Sequence, residues 1–125
     1  MILGSLFCLF AGFGKALRDT LAHHFETSIF RNLNPQFWNP VLSGANKWKN
    51  GDRTQGEKFK FSSTLLVSFT EAWHIGETIN VAFLILGTGL LVYSGIGLLW
   101  ALLLARVAYG ISFTVLYWSF NKERK

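Results

Sequence analysis

With 125 residues the chain has room for one domain at most. Half of its residues are hydrophobic, and 12 Phe with 5 Trp exceed what the core of a soluble chain of this length can hide. The net charge of +5 is gathered in the middle of the chain and at its end, the bias that a membrane topology requires of cytoplasmic segments, so it is read as orientation and not as nucleic-acid binding.

Residues 2–14 carry no charge. They lack the basic n-region and the small-residue cleavage site of a removable signal peptide, so they are expected to stay as part of a first helix over about residues 2–30. That helix is apolar in its first half and amphipathic in its second. Cys8 is the one cysteine, which excludes a disulfide framework. Residues 32–61 follow as a polar connection, broken at Asn34-Pro35 and Asn39-Pro40, dipeptides that favour turns. Its mixture of Asn, Trp, Phe, Lys and Arg suits a membrane–water interface, with the cations against phospholipid headgroups.

Ser62-Ser63 gives a cap signal for a second helix over about 62–94, amphipathic to Thr78 and apolar beyond. Ser94-Gly95-Ile96-Gly97 reads as a tight turn, so a third helix over 98–118 must return antiparallel to the second. Residues 119–125 form a basic tail. About 20 helical residues cross a 30 Å hydrocarbon layer. The expected fold is therefore all-α: a polytopic, three-helix antiparallel bundle in a bacterial inner (plasma) membrane, N-terminus outside and C-terminus cytoplasmic. Ala101, Ala105, Ala108 and Ser112 form a small-residue stripe that allows close helix packing. Membrane lipids are the expected surroundings, and a second copy or another membrane protein the expected partner.

The polar residues fall into two stripes. On the first helix Gly12, Lys15, Asp19, His23 and Glu26 recur at i+3 and i+4 and share a face, which Arg18 and His24 do not. On the second helix Glu71, His74 and Thr78 share a face, with Glu77 on its flank. Pairing the two helices as an antiparallel hairpin brings Asp19 level with His74, and His23 level with Thr70 and Glu71. Imidazole and carboxylate suit Zn²⁺, Fe²⁺ or Mn²⁺, so Asp19, His23, Glu71 and His74 are candidate ligands of a divalent metal. Glu26 and Glu77 would then handle protons in metal-assisted chemistry on a lipid or another amphiphile. The same residues also fit helical ion pairs with no metal, in a non-enzymatic membrane subunit. A b-type haem between His23 and His74 is a third arrangement. Arg106, deep in the third helix, and Lys15 are the cations available to hold an anionic group. An intramembrane charge is a functional hypothesis in its own right.

The string NPQFWNPVLSGANKWKNGD, followed by FSSTLLVSFTEAWH, resembles a family of small uncharacterised bacterial integral membrane proteins. The resemblance covers roughly residues 15–78. It rests on Asn34, Pro35, Phe37, Trp38, Asn39, Pro40, Asn46, Lys47 and Trp48, and on the Ala72-Trp73-His74 triplet. It implies a membrane class and one recurring unit, and carries no activity with it.

Overall fold

The structure is a computed structural model and describes residues 1–121. Lys122, Arg124 and Lys125 of the basic tail lie outside the described residues. The described chain is all-helical: α1 (Ile2–His24), α2 (Pro35–Trp38), α3 (Pro40–Ser43), α4 (Ala72–Tyr93) and α5 (Leu98–Phe120), with one 3-10 turn after α1 and four between α3 and α4. Two of these, α4 and α5, are long and apolar enough to cross a membrane.

Helix α1 packs along both α4 and α5, which touch each other less. The α1–α4 contact is backbone on backbone. A Cβ added at Gly14 would lie 2.5 Å from the Asn80 amide and 2.6 Å from the Gly76 carbonyl. Gly4 meets Gly87 and Leu91 in the same way at the other end, so α1 and α4 run antiparallel. Glycine is required here because any side chain would hold the helices apart. On its other side α1 rests on α5, where Gly12 approaches the Tyr109 carbonyl and Ser112. Cys8, Leu91, Ala101, Ala105 and Ala108 fill one buried cluster, and Leu17, Leu21, Phe25 and Ala72 fill a second nearer the loop.

Two helix boundaries lie more than two residues from the expected ones. The first helix was expected to run to residue 30, but it ends at His24 and tightens into a 3-10 turn over Phe25–Thr27. Ser28 donates its hydroxyl to the Phe25 carbonyl at 2.7 Å, and the Ile29 amide bonds the Phe120 carbonyl of α5 at 2.9 Å. A hydroxyl that competes for local carbonyls, together with a backbone partner on α5, outweighs one more helical turn.

The second boundary shift is larger, because α4 starts at Ala72 and not near Ser62. The two serines that read as a cap are used elsewhere. Ser62 bonds the Lys47 carbonyl at 2.7 Å, and the Ser63 hydroxyl and amide both engage Glu57. Phe61 takes a left-handed conformation (φ 66°) that stops helix growth.

The connection from Ser28 to Glu71 is a folded cap. Asn34 and Asn39 each accept the backbone amide two residues on and start a short helix with proline in its first turn. Phe30 stacks on Trp38 with ring centroids 5.3 Å apart and meets Phe120 edge-on at 5.1 Å, which ties the cap to α5.

Candidate functional site

The polar side chains gather in three places around the loop-proximal ends of the long helices. The first lies between α1 and α4. Lys15 Nζ is 2.6 Å from Asp19 Oδ2, and Arg18 donates from Nε to Asp19 Oδ1 at 2.9 Å. The same guanidinium reaches across to Glu77 of α4 through Nη1. Lys15 also stands over the Phe113 ring of α5, 5.1 Å from its centroid. Two cations and two anions thus neutralise each other where three helices meet.

Arg18 was expected to point away from the polar stripe, and it is the hub. The reason is the glycine contact. A Cβ on Gly76 would stand 3.0 Å from the Arg18 amide, so α4 passes close enough for an off-stripe arginine to reach Glu77.

The second cluster joins the cap to α4. Glu71 is 5% exposed. Its Oε2 accepts the Ser43 hydroxyl at 2.6 Å and its Oε1 lies 2.5 Å from His74 Nδ1. Beside it Asn46 donates to the carbonyls of Thr70 (3.1 Å) and Gln36. The carboxylate is the centre of this group, with serine and histidine on opposite oxygens. The hydroxyl does not touch the imidazole, so this is not the relay of a serine nucleophile. Ser43 and Asn46 had no periodicity to betray them, since each sits in a short helix or turn of the connection.

The third is a cleft of about 390 Å³ at the end of α1, lined by His23, His24, Glu26, Asn39 and Val41 among others. His24 faces Tyr117 with ring centroids 5.6 Å apart. Both histidines fall in the last turn of α1, where a cation complements the helix dipole.

The expected metal set is therefore divided. Asp19 is bonded to Lys15 and Arg18, Glu71 and His74 are bonded to each other, and His23 lines the third site. Among the described residues no group of three or more His, Cys, Asp or Glu side chains is arranged to hold a metal ion. The candidate proton carriers separate too: Glu77 pairs with Arg18, while Glu26 lies in the cleft beside His23. Lys15 is committed to Asp19 and Phe113. Arg106 lines a groove on α5 together with Gly110 and Thr114. Among the described residues two buried oxygens, Thr20 Oγ1 and Asn80 Oδ1, have no hydrogen-bond partner.

Outside the long helices two carboxylates are fixed in the cap. Asp52 accepts from the Thr54 hydroxyl at 2.7 Å and from its amide at 2.9 Å, and these bonds hold it below the usual carboxylate range. Glu57 is lowered in the same sense, first by the Ser63 hydroxyl.

No family model matches the chain, and neither does any curated protein or solved structure.

Proposed function

We propose that this chain is a small polytopic protein of a bacterial inner membrane, crossing three times with its N-terminus outside. In this reading its polar clusters serve assembly, as part of a non-enzymatic membrane subunit or scaffold. The membrane class draws support from exposure. The most apolar windows of α4 and α5 are only 22% and 17% buried, whereas the core helix of a soluble protein is mostly buried. Ile85, Leu99, Trp100, Val107 and Ile111 all stand outward. Lipid gives those side chains the apolar surroundings that water denies them.

The observation that carries the subunit reading is the neutral quartet of Lys15, Arg18, Asp19 and Glu77. Charges near a hydrocarbon layer are costly unless paired, and here both carboxylates are spent on cations of the same chain. A site for turnover keeps a polar group open to substrate. Elemental analysis of the purified protein tests this reading. It predicts no stoichiometric transition metal. Zinc, iron or manganese at about one per chain, lost in His74→Ala and in Asp19→Ala, would overturn it.

One observation favours a second reading, metal-assisted or acid–base chemistry on a lipid. Glu71 fixes Nδ1 of His74, the arrangement that orients an imidazole whose Nε2 serves as ligand or base. The same elemental analysis separates its metal-dependent form from the first reading.

A further inference from the structure

Arg106 sits eight residues into α5 and fourteen from its end, about 12 Å and 21 Å along the axis. It is exposed, and no described residue gives it a hydrogen bond or an ion pair. Side chains on a helix normally lean toward its N-terminus, which for Arg106 is also the nearer end. The guanidinium lies the other way, over Gly110, where an added Cβ would stand 2.6 Å from its Nη1. It is therefore turned away from the nearer headgroup layer and toward the bilayer interior.

Around it Arg106, Gly110 and Thr114 form one track at i+4 spacing, flanked by Val107, Ile111 and Val115, in a groove of about 580 Å³. Glycine at 110 gives the guanidinium room to lie close along the helix surface, and the small Thr114 beyond it lets a neighbouring helix approach. An unpaired cation at this depth calls for an anion at the same depth.

Among the described residues this chain has none to offer there. Gly12 packs level with Tyr109 and Ser112, so Asp19 stands two turns nearer the cap, and Glu77 pairs with Arg18 at that same level. Glu26 and Glu71 lie beyond, and Asp52 and Glu57 belong to the cap. A second copy in the same orientation repeats this layout, so among the described residues it cannot answer Arg106.

We infer that the α5 face of Arg106, Gly110 and Thr114 docks a transmembrane helix of a different protein, one that carries a single carboxylate level with Arg106. The inference rests on the membrane-subunit reading and names the chemistry of its partner.

The test uses the full-length protein in phosphatidylcholine vesicles with a labelled Leu/Ala transmembrane peptide about 20 residues long bearing one central Asp. Energy transfer between protein and peptide reads association. The expected result is binding at least about tenfold tighter than for the same peptide with Leu in place of Asp, and a loss of about that factor in Arg106→Gln and in Gly110→Leu. Equal binding of the two peptides, or undiminished binding by Arg106→Gln, overturns the inference. Binding that disappears when phosphatidylglycerol is added gives the groove to a lipid phosphate and overturns it as well. Alkaline carbonate extraction of the same vesicles separates the two levels. Protein that stays in the membrane without binding the peptide sinks the docking inference alone, whereas protein that is extracted sinks the membrane reading with it.

Discussion

Two of the polar clusters of this molecule solve the same problem by different means. Between α1 and α4, carboxylates face cations: Lys15 and Arg18 hold Asp19, and Arg18 alone spans to Glu77. Between the cap and α4, a carboxylate faces a hydroxyl and an imidazole, Ser43 and His74, with no lysine or arginine among its bonds. The first arrangement ties long helices together by charge. The second latches a loop onto a helix start by hydrogen bonds. Arg18 is the member whose loss strands the most charge, because two carboxylates depend on it. Glu71 is the member whose loss strands the most hydrogen-bonding groups.

The comparison breaks most severely if the helices that bring the quartet together are forced apart. Gly14→Leu places new atoms against the backbone of Gly76 and Asn80. It is expected to cost about 3 kcal/mol, seen as a fall in thermal midpoint in detergent and in the yield of monodisperse protein. Next in size is Arg18→Met, which leaves Asp19 with lysine alone and Glu77 with no cation. The quartet is partly exposed, so the expected loss is about 2 kcal/mol, between the values for surface pairs and fully buried ones. Denaturant titration of the variant measures it, and Lys15→Met should cost less.

The latch should fail more gently and in a different place. Ser43→Ala removes one hydrogen bond to a buried carboxylate, worth about 1.5 kcal/mol. Because that bond holds the cap, trypsin should cut faster at Lys47, Lys49 and Arg53 while the long helices stay protected.

The smallest effect is the pH response of the cap itself. Asp52 and Glu57 have folded values below their ordinary range because of bonds to Thr54 and Ser63. Their contribution is present above the ordinary carboxylate range and is lost as pH falls through the depressed folded values. Hydrogen-exchange protection over residues 47–63, taken relative to the intrinsic rate at each pH, should therefore fall on acidification, and Glu57→Gln should flatten that response.

Much of this layout was legible in the sequence, and the parts that were not share a cause. The antiparallel register of the first two long helices followed from matching their polar and apolar halves. Gly14 against Gly76 and Gly4 against Gly87 realise it. The lengths of α4 and α5 beyond residue 78 followed from the near-absence of charge, Arg106 apart. Arg18 was misplaced because a helical wheel assigns a side chain to its own face and ignores reach. A long arginine beside a glycine contact serves the neighbouring helix instead.

The start of α4 was misread because Ser62 and Ser63 carry a cap signal in any context. Their partners, the Lys47 carbonyl and Glu57, lie 15 and 6 residues away in a loop whose fold no periodicity announces. The metal set failed to gather for a related reason. Equal depth on two helices does not bring side chains together when nearer cations and hydroxyls claim them first.

A double-mutant cycle on Arg18 and Glu77 tests the central claim most directly, by comparing the unfolding free energies of wild type, Arg18→Met, Glu77→Gln and the pair. A self-neutralising bridge between α1 and α4 predicts a coupling of about 1–2 kcal/mol. Additivity within about 0.3 kcal/mol would contradict it, and the quartet would then be four neighbouring charges with no common role.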